Sequence, residues 1–130
     1  MYGIHITVDC DMAEAEQRAI AALKAEGFGI LTEIDVKAVL KNKINVDRRP
    51  YKILGACNPV LANKALQAEP DLGLLLPCNV VIREEEDDTT TIAIVDPAAM
   101  FTVVDKPEMA EMADEVREIF ERIMNSLKNK

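Results

Sequence analysis

The sequence predicts an α+β domain with one mixed five-stranded β-sheet, covered mainly on one face by helices, in the element order βαβαβαββα. Three observations support this fold class. Short apolar runs that alternate with polar residues are typical of half-buried strands, and stretches with helical periodicity separate most of them. The C-terminal stretch keeps helical spacing of its apolar residues for about five turns. A length of 130 residues suits one ordinary hydrophobic core, so residues 1–130 are predicted to form a single domain.

The first strand and helix are indicated by alternation followed by a capping pattern. Gly3–Val8 alternates apolar and polar residues, as a half-buried strand does. Asp11, with Glu14 three residues later, is typical of a helix start. Gly27 is placed to end that helix in the left-handed conformation, and Phe28–Ile34 is predicted to be the second strand.

The middle of the chain is divided by caps and prolines. Asp35 is predicted to cap a short amphipathic helix, and Lys43–Pro50 has no clean period and is predicted to be a loop. Tyr51–Ala56 is the third predicted strand. Asn58 followed by Pro59 is a strong helix start, because Asn caps well and proline at the first helical position loses no needed hydrogen bond.

The next helix must stop before Pro70, and a long apolar segment follows it. Gly73–Glu85 is predicted to be the longest strand, with a bulge or an edge at Pro77, because proline cannot donate to a ladder. Asp87–Asp88 is predicted to turn the chain into Thr89–Val95, its hairpin partner.

The last helix has the clearest pattern of the chain. Its apolar residues recur at helical spacing and are predicted to be buried on the sheet or at a subunit contact. They are Met109, Met112, Ala113, Val116, Ile119, Phe120, Ile123 and Leu127.

Composition limits the possible partners. A net charge of −8 argues against nucleic acid and anionic membrane as partners. No signal peptide is indicated, and no apolar run approaches the roughly 20 residues that span a bilayer. Three cysteines without a C-x-x-C pair favour free thiols in a reducing cytoplasm. No phosphate loop, dinucleotide fingerprint, catalytic triad or zinc pattern is present, so neither a cofactor nor a metal is predicted.

Two Cys-Asn pairs form the candidate ligand site: Cys57 with Asn58, and Cys78 with Asn79. Cys57 directly precedes a predicted helix cap, where the positive end of the helix dipole favours a thiolate. If the third and fourth strands are neighbours, the two pairs face each other across a pocket, with amides beside thiols. The alternatives are that both cysteines are small buried hydrophobes, or that they form a disulfide.

A second, weaker candidate is an anion site. The segment 37–52 carries a local charge of +5 in an acidic protein. Within it, Arg48 and Arg49 are the fork-shaped donors that suit an anion. An ordinary solvated helix and loop is the alternative.

The segments Ile53–Pro59, Gly73–Val81 and Gly27–Asp35 resemble a widespread prokaryotic family, domain of unknown function 302. The likeness covers nearly the whole chain. It implies an α+β domain that forms a homodimer, and it implies no established activity. The chain departs from the family pattern at Ile82–Arg83, where an aromatic residue is frequent.

The favoured interpretation is a small cytoplasmic homodimer that binds a small molecule without turning it over. One alternative is a thiol-dependent enzyme or redox protein with Cys57 as nucleophile, for which the chain offers no obvious general base. The other is a purely structural dimer. His5, the single histidine, is interpreted as an exposed strand residue.

Overall fold

The computed structural model describes residues 2–128, which form five strands and five α-helices. In chain order these are β1 (Gly3–Val8), α1 (Met12–Ala25), β2 (Gly29–Asp35), α2 (Val36–Ile44), β3 (Tyr51–Cys57), α3 (Pro59–Ala68), β4 (Cys78–Glu84), β5 (Thr90–Val95), α4 (Pro97–Phe101) and α5 (Pro107–Lys128). A 3₁₀ helix, Pro70–Leu75, connects α3 to β4.

The sheet has the strand order β1-β5-β4-β3-β2, and every neighbouring pair is antiparallel. The predicted α+β class is confirmed, but the prediction of a mixed sheet was wrong. Helices between successive strands suggested parallel crossovers. The register shows instead that Asp35 at the end of β2 pairs with Lys52 near the start of β3, so α2 and its loop return the chain at the same end of the sheet. Strands β1 and β2 lie at opposite edges, joined through α1.

The predicted caps are present. The carboxylate Oδ1 of Asp11 accepts the backbone N–H of Glu14 at 2.9 Å, and that of Asp35 accepts the N–H of Ala38 at 3.0 Å. Gly27 has φ of +86°, the left-handed conformation predicted for the end of α1. These helix ends therefore follow from local sequence.

The predicted strand Gly73–Glu85 was wrong in its first part. The carboxylate of Glu69 accepts the N–H of Asp71 at 3.2 Å and caps the 3₁₀ helix. A short apolar run fits a helix or a strand equally well, which explains the error. Pro77 lies before β4 begins and interrupts no ladder, so the bulge expected there is absent. The irregularity lies in β2, between Ile30 and Thr32.

Helix α4 was not predicted, although its start follows the same chemistry as that of α3. Asp96 accepts the N–H of Ala98 at 2.9 Å, and Pro97 takes the first helical position. Arg117 of α5 forms an ion pair with Asp96, which links the two helices.

The core lies between one face of the sheet and helices α1, α3 and α5. Of the apolar α5 residues predicted to be buried, all are buried except Ile119, which is half-buried. The ring of Phe120 meets that of Phe28 edge to face, with 5.2 Å between centroids. The apolar side of α5 is therefore buried in this core.

The opposite surface of the sheet is called the open face. Because side chains alternate along each strand, it carries the residues that do not face α1 and α5. They include Gly3, His5, Thr7, Tyr51, Ile53, Gly55, Asn79, Val81, Arg83, Thr91, Ala93 and Val95.

Candidate functional site

The end of β3 and the start of α3 position the first Cys-Asn pair. Asn58 Oδ1 accepts the backbone N–H groups of Val60 and Leu61 at 3.1 and 3.2 Å, so this side chain caps α3. A Cβ atom on Gly27 would lie 2.9 Å from Asn58 Nδ2. The glycine that ends α1 thus also leaves room for the cap beside Cys57.

Strands β3 and β4 are neighbours, as the predicted site required. Ala56 pairs with Cys78, which brings Cys78 next to the end of β3 that carries Cys57. Cys57, Asn58 and Cys78 are all among the residues that line a small cavity of about 40 Å³, which we call the thiol cavity. Its other lining residues are Phe28, Ala56, Leu61, Ala62, Ala65, Leu76, Phe101, Met112 and Val116.

The size and lining of the thiol cavity limit its occupant. A volume of about 40 Å³ corresponds to about three water-sized groups. Its walls are almost entirely apolar side chains, and several of them, including Leu61, Ala62 and Leu76, are only half-buried. The cavity therefore reaches the surface and suits a small apolar group rather than a large polar ligand.

The two thiols of the cavity differ in their surroundings. Cys78 is only 6% exposed, and burial, with a smaller contribution from the neighbouring Cys57, raises its pKa to about 11. Cys57 is half-buried. Near neutral pH, Cys78 is therefore a neutral thiol and a poor nucleophile.

Cys10 lies outside the cavity, near the start of α1. Its pKa is raised, first by burial and then by the carboxylates of Glu14 and Asp11, while Arg18 acts in the opposite direction. The burial of Cys10, the largest of these effects, depends on tertiary packing.

Asn79 lies apart from the other three candidate residues, Cys57, Asn58 and Cys78. Successive side chains of a strand point to opposite faces, and because Cys78 faces the helices, Asn79 lies on the open face, paired with Gly55. Asn58 therefore lies at the cavity with the two cysteines, whereas Asn79 lies on the other face of the sheet.

Asn79 lines a different depression, which the sequence did not indicate. This groove of about 290 Å³ lies on the open face. Side chains from β1, β3, β4 and β5 line it, so residues far apart in sequence create it. No short motif could have revealed it.

The two arginines of the predicted anion site have different roles. Arg49 Nη1 donates to Glu84 Oε1 at 2.8 Å and to the carbonyl of Glu85 at 3.0 Å, and it also pairs with Asp88. Arg49 therefore links the loop before β3 to the β4–β5 hairpin, and its guanidinium is not available to a ligand. Arg48 stacks instead on the ring of Tyr51, with its Cζ 4.8 Å from the ring centroid.

Residues 2–128 contain neither a candidate metal centre nor a candidate membrane-spanning helix. In that part of the chain, no three His, Cys, Asp or Glu side chains come together in a group that could hold a metal ion. No helix there has both the length and the apolar character that crossing a membrane requires. His5, on the edge strand β1, is exposed as predicted.

These features define an α+β protein in which helices cover one face of an antiparallel sheet and a two-thiol cavity lies at the β3–α3 junction. Residues 4–127 match the family described as domain of unknown function DUF302, and the chain belongs to this family. The resemblance seen in the sequence is thereby confirmed.

A solved structure supports the assignment. The crystal structure of an uncharacterized conserved DUF302 protein from Bacillus stearothermophilus is 29% identical to this chain, with a TM-score of 0.89. The match covers 96% of this chain and 97% of the other. No curated protein matches this chain.

Proposed function

We propose that this protein is a small homodimeric binding module, in which the thiol cavity receives the apolar part of a small ligand. The main observation in support of the dimer concerns helix α2. None of its residues is buried, although it contains Val36, Val39, Leu40 and Ile44. An amphipathic helix without a buried side needs a partner to remove its apolar surface from water.

The exposed apolar residues concentrate around α2. Among residues 2–128, ten large hydrophobic side chains are exposed, and five of them fall within residues 31–46. We call these five the β2–α2 surface: Leu31, Ile34, Val39, Ile44 and Val46. Strand β2 is an edge strand, and six of its seven residues are exposed. A second copy of the chain would cover this edge and its apolar neighbours together.

The exposed area of the protomer is larger than that of a typical folded monomer of this mass. The protein exposes 7732 Å². A folded monomer of this mass exposes about 6,800 Å², so the excess is about 900 Å². That excess is close to the roughly 800 Å² that each partner buries in a standard interface.

The apolar residues of α5 were predicted to lie on the sheet or at a subunit contact. They do not support the dimer, because eight apolar side chains of α5 are buried in the protomer's own core. The dimer proposal now depends on the β2–α2 surface and on the edge strand.

Ile44→Asp is expected to convert the dimer into a monomer. Ile44 is 63% exposed at the end of α2, so a charge there leaves the protomer intact and places a desolvated carboxylate in the interface. Sedimentation velocity at micromolar concentration measures the result. Val103→Asp is the matched control, since Val103 is 73% exposed outside the β2–α2 surface, and it should remain dimeric. A wild-type protein that sediments as a monomer refutes the dimer.

Binding is favoured over thiol catalysis by the chemistry of the cavity lining. Among the described residues, no carboxylate, lysine or histidine lines the cavity beside the thiols. His5 lies on β1, separated from β3 by two strands. A cysteine nucleophile needs a neighbouring base or cation, and this site supplies neither. We further propose a reducing compartment, the cytoplasm, because the odd cysteine count suits free thiols.

Alkylation of the native protein tests access to the thiol cavity. Cys57 is expected to react before Cys10, which is equally half-buried but has a raised pKa, and Cys78 should react last, because it is buried and protonated. Timed alkylation with peptide mass mapping gives the order. Modification of Cys10 first, with Cys57 silent until unfolding, would make both Cys-Asn pairs packing features.

A substitution that fills the thiol cavity provides a second test of access to it. Ala62→Leu adds apolar volume to the lining and should slow alkylation of Cys57 and displace any ligand that native mass spectrometry detects on the wild type. Ala110→Leu, an exposed alanine of α5 outside the cavity, is the control and should change neither readout. Equal effects of both variants would argue against a ligand in this cavity.

A further inference from the structure

The groove on the open face follows β4 and has two chemically different ends. Arg83 and Tyr51 pair across β4 and β3 at one end, and Asn79 lies four residues further along β4 at the other. Four strand residues span about 13 Å. The groove is therefore elongated, and its volume of about 290 Å³ lies near the lower limit of small-molecule sites.

One end of the groove carries guanidinium groups. Arg83 donates its Nε to Glu85 Oε1 at 2.7 Å, which leaves both Nη groups free of protein partners among residues 2–128. Arg48 stacks on Tyr51 and forms no ion pair with a carboxylate in the same range. Two guanidinium groups with unused donors thus lie at, or next to, the same end.

The lining contains no carboxylate of its own. The protein has 23 acidic residues in 130, yet within the described part of the chain none of them lines the groove. Such a lining is complementary to an anion in a molecule that otherwise repels anions.

The remainder of the groove is mainly apolar. Val81 and Ala93 pair across β4 and β5 at its centre, and Val95 follows on β5. Pro77 and Met100 lie towards the end that carries Asn79. These side chains are half-buried, and Met100 of α4 and Leu75 of the 3₁₀ helix are among the residues that line the groove.

We propose that this groove binds an amphipathic monocarboxylate, with the carboxylate at Arg83 and Arg48 and an extended apolar body along β4. A fork of guanidinium donors suits the two oxygens of a carboxylate. Val81, Ala93 and Val95 provide apolar contact for the body, which gains binding free energy in proportion to the area removed from water. This site is separate from the thiol cavity, which lies on the other face of the sheet, and does not depend on the proposed function.

The test is isothermal titration calorimetry of the full chain with sodium octanoate, and with 1-octanol as its uncharged counterpart. Octanoate should bind in a saturable manner and more tightly than 1-octanol. Arg83→Gln, which keeps a polar side chain and removes the charge, should weaken octanoate binding by about tenfold or more and leave 1-octanol unaffected. Arg122→Gln removes a guanidinium that pairs with Glu26 on the surface, outside the groove, and should bind octanoate like the wild type.

A second measurement locates the ligand if a variant is unstable. Octanoate should shift the backbone amide resonances of β4 and β5, with the largest changes near Val81 and Ala93. Equal binding of octanoate by wild type and Arg83→Gln, or shifts confined to other elements, overturns the proposal. Loss of the dimer in Val81→Asp would assign the groove to a second copy of the chain and also overturn it.

Discussion

Phe120→Ala is expected to lower the free energy of unfolding by about 4 kcal/mol, within the range seen when a buried aromatic ring is removed from a core. Phe120 is fully buried, and its ring contacts that of Phe28, the residue before β2, edge to face. Removing it leaves a cavity between α5 and the sheet. Urea unfolding followed by circular dichroism measures the loss.

A matched substitution on the same helix separates the core from the surface. Glu118→Ala changes an exposed residue of α5 and should alter the stability by no more than about 0.5 kcal/mol. A double-mutant cycle of Phe28→Ala with Phe120→Ala should give a coupling of about 1 kcal/mol, the contribution of an edge-to-face pair. A loss below about 1 kcal/mol for Phe120→Ala would mean that α5 is peripheral, contrary to the structure.

Gly55→Ala is expected to cost about 3 kcal/mol, because the methyl group has no space on the open face. A Cβ atom at this position would lie 2.2 Å from Thr32 Oγ1 and 2.7 Å from Pro77 Cγ. Strand β3 is paired on both sides, so it cannot move away from both neighbours at once. Thermal or urea unfolding measures the change.

Gly29→Ala is the matched control for this substitution. Gly29 is also a strand glycine, and nothing lies within 4 Å of the Cβ that would be added to it. Its replacement should be close to neutral or slightly stabilising. Adding Thr32→Ala to Gly55→Ala should recover part of the loss by removing the hydroxyl that clashes. A Gly55→Ala protein as stable as Gly29→Ala would show that the β3 surroundings are looser than the structure indicates.

Cys57 and Cys78 show which parts of the candidate site could be predicted from the sequence and which could not. A strand that ends at Cys57 and a helix that begins at Pro59 are local events, decided by the Asn58 cap and by proline chemistry. The proximity of Cys57 to Cys78 depends on the pairing of β3 with β4, which the sequence analysis could only state as a condition. Asn79 was misplaced because one residue of strand register reverses the face on which a side chain lies.

The basic segment shows the same limit in electrostatics. The local charge count treated Arg48 and Arg49 as equivalent. In the folded protein, Arg49 pairs with the acidic β4–β5 hairpin, whereas Arg48 stacks on the ring of Tyr51. The partners of Arg49 lie 35 or more residues away in the chain. Long-range contacts of this kind have no short-range signal in one sequence.

By itself, the sequence determined the helix starts at Asp11, Asp35 and Asn58 and the buried side of α5. It also determined the α+β class and the family. Caps, periodicity and family motifs are all properties of local residue order. The tertiary structure alone decided the antiparallel direction of every strand pair, the exposure of α2, the shared lining of the thiol cavity and the groove on the open face. Each of these depends on which strands pair and in what register. That choice is made by the burial of one whole face of the sheet, a global property to which every strand contributes.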